Sequence, residues 1–209
     1  MATYKWRKTD ESDWLEYCPD HQSIGLYYAR IHESGGGYGA SQTNQLIHNL
    51  KKPPDAPEAQ LYYKRLAINQ FAQEVVNFLS FAQGVSFYLV PMPPSRTKSD
   101  AKYDGRIATV ARKVSEKLDS VSYGELLYLT DNTRTYHQSR GRRDVESITR
   151  VMRVDRELLP EAVATKNILV LDDVITSGAH FEAARKILRE IIPEQCRVYG
   201  VFWAKSKNL

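Results

Sequence analysis

The sequence predicts an α/β fold, an open and mostly parallel sheet flanked by helices. Three observations carry this. The segments "VSFYLV" (85–90) and "NILVLD" (167–172) are almost continuously apolar, as strands buried on both faces are. Amphipathic segments with helical spacing alternate with them, the pattern of strand–helix–strand units. And the strand at 167–172 ends in adjacent carboxylates, Asp172 and Asp173, followed by the turn "VITSG" and a new helix.

Taken in order, residues 1–21 are polar and aromatic and predict no regular element. "IGLYYARI" (24–31) is rich in β-formers and reads as a strand. "HESGGGYGA" (32–40) reads as a turn or flexible hairpin. "SQTNQLIHNLKK" (41–52) reads as a helix capped by Ser41 and stopped by Pro53 and Pro54. Helical spacing of Leu61, Leu66, Ile68, Phe71, Val75, Phe78 and Leu79 predicts a helix over 58–82. After the strand 85–90 come "PMPPSR", a helix over 105–118 and a strand over 125–130. The stretch 131–147 is long, polar and basic. "ITRVMRV" (148–154) alternates and predicts an edge strand. The strand 167–172, a helix over 179–192 closed by Pro193, and a last strand over 196–204 complete the chain. Residues 1–57 are expected to form an N-terminal segment and hood, and 58–209 the core.

Composition bounds the function. The chain has 209 residues, 42% hydrophobic and 26% charged, which is enough to bury a core without staples. A net charge of +4 suits anionic ligands but is small for a dedicated nucleic-acid binder. Only two cysteines, Cys18 and Cys196, fit a reducing compartment. The N-terminus has no apolar signal region and no apolar run is long enough to span a bilayer, so a cytoplasmic protein is expected.

The acidic pair and the turn after it point to one kind of ligand. In open parallel sheets, ligands bind at the carboxyl ends of the strands. A helix N-terminus offers unsatisfied N–H groups and a positive dipole end to a phosphate, and Thr176, Ser177 and Gly178 add hydroxyls and close backbone approach. Two carboxylates cannot bind the same phosphate; they suit hydroxyls or a ligand-borne metal. A ligand with phosphate at one end and vicinal hydroxyls at the other is a ribose 5-phosphate.

"ILVLDDVITSGAH" (168–180) closely resembles the phosphoribosyl-pyrophosphate (PRPP) signature of type I phosphoribosyltransferases. "FYLVPMPPSR" (87–96) with "YDGR" (103–106), "YGASQTNQLIHNLKK" (38–52) and "TRTYHQSRGRRDV" (133–145) resemble segments of ComF-type members of that family. The resemblance implies that Asp172 and Asp173 meet the ribose hydroxyls. It also implies that the loop of Val174, Ile175, Thr176, Ser177, Gly178, Ala179 and His180 wraps the 5-phosphate. His180 departs from the family, which has Ser or Thr there. Thr176 departs too, because several purine-using members carry an acidic residue at that position. This argues against hypoxanthine or guanine as acceptor. Only "CPDH" (18–21) is left of the cysteine-rich zinc module of ComF relatives, so no structural zinc is expected.

The implied function is transfer of phosphoribosyl from PRPP to a nitrogen acceptor, a base or an amine, with release of pyrophosphate. Mg²⁺ is expected as cofactor, carried by PRPP, so no metal ligands of the protein's own are assigned. Ser95, Arg96 and Lys98 are expected on the pyrophosphate, Arg96 sharing the catalytic role with the acidic pair. Arg140, Arg142 and Arg143, around Gly141, are expected on a flap that closes over PRPP. The alternative on the same fold is an inactive PRPP- or nucleotide-sensing module, or a nucleic-acid-associated protein of competence or defence type. A homodimer is compatible with either, and no membrane partner is expected. Phe202 and Trp203 either stack a base or, as their apolar strand favours, pack in the core. His21, His32, His48 and His137 lack metal-ligand spacing and read as surface or structural.

Overall fold

The computed structural model describes residues 4–132 and 144–208. In chain order the elements are β1 (Arg7–Lys8), α1 (His21–Ile24), β2 (Leu26–Ser34), α2 (Gln42–Leu50), α3 (Glu58–Leu79) and β3 (Phe87–Pro91), then α4 (Arg106–Ser115), β4 (Val121–Tyr123) and β5 (Leu127–Leu129). They continue with α5 (Val145–Val151), β6 (Met152–Val154), α6 (Leu159–Ala164), β7 (Asn167–Ile175), α7 (Ala179–Arg189) and β8 (Arg197–Asn208). The main sheet runs β1-β2-β8-β7-β3-β4, parallel throughout except for the short β1. The mostly parallel α/β architecture expected from the apolar strands is therefore present.

The central strand β7 sorts its side chains by alternation. Ile168 and Val170 pack toward α7 with Phe181, Ala184 and Leu188. Leu169 and Leu171 pack toward α3 and α4 with Phe71, Val75, Val110 and Val114. Fully buried side chains of this size each contribute about 1.5–3 kcal/mol over exposure, so the two layers clamp the sheet from both sides. Phe202 and Trp203 are buried in these layers, Trp203 stacked on Phe71 with ring centroids 4.7 Å apart, which makes them core and not a stacking platform. Ser41 caps α2 as expected, its Oγ accepting the Asn44 N–H at 3.1 Å.

Several local readings change, and β1 and β4 are short strands the sequence did not predict. The alternating stretch 148–154 is not one strand: Asp144 caps a helix through Ser147, and only Met152–Val154 is extended, antiparallel to β5 in a separate two-stranded sheet. A helical face with Ile148 buried against α7 outweighs the period-two pattern. Leu159–Ala164 adds an unexpected short helix opened by Pro160. Finally, β2, within the segment expected as hood, is a full strand of the main sheet, parallel to β8. Among the described residues no helix is long and apolar enough to cross a membrane.

Candidate functional site

From β3 the chain crosses through α4 to β4 on one side; from β7 it crosses through α7 to β8 on the other. The two crossover helices lie on opposite faces of the sheet. Neighbouring strands whose connections diverge leave a crevice at their carboxyl ends, where α/β sheets bind ligands. A cavity of about 320 Å³ lies there, and Asp172, Asp173, Thr176, His180, Ser95 and Arg106 are among the residues that line it.

Asp173 is buried and held by cations from two helices. Arg106 donates to its Oδ2 from Nε at 3.1 Å and Nη2 at 2.7 Å, and Lys51 Nζ lies 3.1 Å from Oδ1. Lys51 caps the C-terminus of α2, where a cation is favoured. Arg106 opens α4, where the dipole opposes it by about 0.3–1 kcal/mol. Its bonds to Asp173 and, at 2.9 Å, to Asp104 outweigh that, since breaking a buried ion pair costs about 3–5 kcal/mol. Burial raises the Asp173 carboxyl, but Lys51 and Arg106 outweigh burial and hold it below the ordinary carboxylate range. Asp172 is half-buried, and its Oδ1 accepts the Asp173 N–H at 2.8 Å. Burial first, then repulsion by Asp173, pushes its pKa well up. The two neighbours are thus inequivalent: one a clamped anion, the other a reluctant one facing the cavity.

The loop after them is packed from beneath. Val174, Thr176 and His180 line the cavity, whereas Ile175, Ser177, Gly178 and Ala179 are not among its lining residues, and Ile175 and Ala179 are buried in the core. Gly178 is left-handed (φ 84°) at the N-cap of α7, and a Cβ there would lie 3.2 Å from the Cys18 Cβ, so only glycine fits. The Tyr17 N–H bonds the Ser177 carbonyl at 3.0 Å, and this N-terminal strand of chain props the loop in place.

The other expected residues divide. Ser95 lines the cavity. Arg96 pairs with Asp100 at 2.8 Å and borders an adjoining pocket with Lys102 and Arg106. Lys98 lies 3.2 Å from Glu125, itself on the cavity wall and bonded by the Tyr103 hydroxyl at 2.8 Å. Arg140, Arg142 and Arg143 lie outside the described residues. Sequence reasoning missed Arg106 and Lys51, although both fall inside the quoted segments "YDGR" and "QLIHNLKK"; their partner is invisible until the helix ends converge. It also missed His32, Ser34 and Ser206, which line the cavity from β2 and β8.

Two donor sets bear on cations. Of the cavity carboxylates, Asp104 pairs with Lys64 and Arg106, Glu125 with Lys98, and Asp173 with Lys51 and Arg106. Asp172 enters no ion pair among the described residues. One open carboxylate fits an Mg²⁺ that keeps its waters and arrives on ligand phosphates. Elsewhere Cys18, Asp20 and Glu182 gather their donor atoms within 4.8 Å, but Arg185 bonds Glu182 at 2.8 Å and pairs with Asp20 at 3.3 Å. Burial, then the carboxylates, pushes the Cys18 thiol up to about 12, so this group is a poor cation site.

No protein-family model matches the chain, and comparison with curated proteins finds no match.

Proposed function

We propose that the protein binds PRPP with Mg²⁺ and transfers its phosphoribosyl group to a nitrogen acceptor, releasing pyrophosphate. The observation that carries this reading is the convergence, in one cavity at the sheet's switch point, of an acidic pair, a glycine-hinged helix N-terminus and a cationic wall. Each part matches a different part of the ligand. The N–H groups opening α7, with Thr176 and His180, suit the 5-phosphate. Asp172 suits the ribose hydroxyls, because a half-buried carboxylate in no ion pair among the described residues gains most from a hydroxyl donor. Arg106, Lys51 and Ser95 suit the pyrophosphate.

As the anomeric C–O bond breaks, positive charge develops on the sugar and negative charge on the leaving group. Asp172 offers a carboxylate to the sugar, and Arg106 and Lys51, both held on Asp173, offer cations to the leaving group, so charge of opposite sign meets each development. Bound Mg²⁺ would neutralise charge on the pyrophosphate, and Asp172 would reach it through its waters. Arg96 is expected to join the pyrophosphate wall by exchanging Asp100 for phosphate.

The test is thermal melting with and without PRPP and Mg²⁺. At 100 times Kd a ligand of the folded state contributes about 2.7 kcal/mol, a shift of several degrees for a chain of this size. Thr176→Asp should abolish that shift by setting a carboxylate against the phosphate while leaving the unliganded melt unchanged. No shift of the wild type at millimolar PRPP sinks the reading.

A further inference from the structure

We propose that Lys64 sets the strength of the pyrophosphate subsite without touching the ligand: it neutralises Asp104 from outside the cavity and so leaves the Arg106 charge to a phosphate. This rests on the phosphoribosyl-transfer reading above, and it makes Lys64 a positioning residue.

Lysine is almost never fully buried unless it is paired. Lys64 is buried in the first half of α3. Its Nζ donates to the Lys52 carbonyl at 2.5 Å and to Asp104 Oδ1 at 2.7 Å. It is not among the residues that line the cavity or the adjoining pocket. Both of its partners stand next to the site's cations. Lys52 follows Lys51, which pairs with Asp173 at 3.1 Å. Asp104 turns its other oxygen, Oδ2, to Arg106 Nη1 at 2.9 Å, and Arg106 bonds Asp173 in turn. The contacts close a ring. It runs from Lys64 through Asp104, Arg106, Asp173 and Lys51 to the Lys52 carbonyl, and back to Lys64.

Packing alone does not explain a lysine here. An ammonium between α3 and the loop before α4 carries a desolvation cost that an apolar side chain of its length avoids, and apolar replacement of buried ion pairs is often neutral or stabilising. What the ammonium supplies is charge at a chosen place. Asp104 and Arg106 line both the cavity and the adjoining pocket. Without Lys64, Arg106 would be the only cation paired with Asp104 among the described residues, while also serving Asp173. The protein's own carboxylates would then cancel its charge. With Lys64 in place, the paired cations Lys51, Lys64 and Arg106 face Asp104 and Asp173, and one positive charge is left over. Salt screens partly buried charges of this kind little, so the surplus is available to an anionic ligand.

Isothermal titration calorimetry of the full chain with three probes tests this. The probes are PRPP with Mg²⁺, inorganic pyrophosphate with Mg²⁺, and ribose 5-phosphate, which keeps the 5-phosphate and hydroxyls but has no pyrophosphate. Lys64→Met should weaken PRPP and pyrophosphate about 10-fold, within the range of couplings inside one ion-pair network, and leave ribose 5-phosphate at its wild-type affinity. Lys64→Arg should restore most of the loss. Asp104→Asn should act in the opposite direction and tighten both pyrophosphate-bearing probes, because the anion that competes for Arg106 is gone. Lys64→Met combined with Asp104→Asn should therefore bind them more tightly than Lys64→Met alone. Asp104→Asn keeps Lys64 in place, so it supplies the sign even where Lys64→Met fails to fold. Equal weakening of all three probes in Lys64→Met overturns the inference, because a residue that only holds the fold would harm every contact alike. Wild-type pyrophosphate affinity in Lys64→Met overturns it too, as does weaker pyrophosphate binding by Asp104→Asn. A wild type that binds none of the three probes removes the transfer reading itself, and the inference with it.

Discussion

Glu74 and Asp173 are both buried carboxylates held by an arginine, yet they serve different ends. Glu74, on α3, is saturated: Arg30 donates from Nε at 3.1 Å and Nη2 at 2.5 Å, Gln70 Nε2 at 3.0 Å and Trp203 Nε1 at 2.7 Å. Arg30 also lies over the Tyr4 ring, 5.2 Å from its centroid, and Trp6 bonds the Glu74 carbonyl at 3.2 Å, so aromatic rings crowd the pair. Asp173 has its cations too, but it adjoins the poorly matched Asp172 and opens on the cavity. A buried charge network that is complete fixes packing; one that is incomplete on its open side is poised for a ligand that completes it.

Glu74→Ala tests the closed network and should show the largest effect. It strands the Arg30 charge and the Trp203 N–H in the core, at about 3–5 kcal/mol, a fall in Tm of roughly 10 °C or more. Arg30→Met combined with Glu74→Leu should regain most of that, because apolar pairs of similar volume replace buried ion pairs with little loss. Calorimetric melting reads both. If Glu74→Ala melts within a degree or two of wild type, the network is not closed.

Asp173→Asn should cost less, because Lys51 is partly exposed and Arg106 keeps Asp104. We expect about 1–3 kcal/mol together with loss of the PRPP shift. The sign with pH follows from a lowered carboxyl. Its contribution is present above the unfolded value near pH 4 and is lost as pH falls through the lower folded value. Wild type should therefore lose stability in strong acid by a step that Asp173→Asn lacks. Acid melting curves of the pair that run parallel remove the ion cluster from the account.

The contrast also marks what the sequence could reveal. Apolar runs and helical spacing placed β3, α3, α4, β7, α7 and β8 within a few residues, because a strand buried on both faces and an amphipathic helix each carry their burial in local pattern. The pair Asp172–Asp173 and Gly178 were legible for a similar reason: the chemistry and the left-handed cap sit within seven residues. Lys51, Arg106 and His32 were not, because each acquires meaning only from a partner 67 to 141 residues away: Arg106 and Asp173 meet across |i−j| = 67, while Lys51 and His32 reach Asp173 from α2 and β2. The stretch 148–154 failed differently, since an alternating heptapeptide supports either a strand or a short helix and the cap at Asp144 decides.

Asp172→Asn gives the smallest and most discriminating change. Burial and Asp173 raise the folded pKa of Asp172 above its unfolded value near 4, so ionising it costs more in the folded protein. The penalty is absent below about pH 4, grows as pH rises and is complete above the folded pKa. Asparagine keeps an oxygen for the Asp173 N–H but carries no charge, and it should raise Tm by a few degrees at pH 7 and by almost nothing near pH 4. The same variant should lose the PRPP shift, since the ligand's hydroxyls lose their carboxylate. Glu74→Ala offers the opposite pattern, with stability lost when the carboxylate is removed, so the sign of the Tm change read together with the PRPP shift separates a carboxylate kept for packing alone from one kept for a ligand. A lower Tm for Asp172→Asn at pH 7, with PRPP binding intact, would place Asp172 with Glu74 among the structural charges and take the ribose contact out of the proposed site.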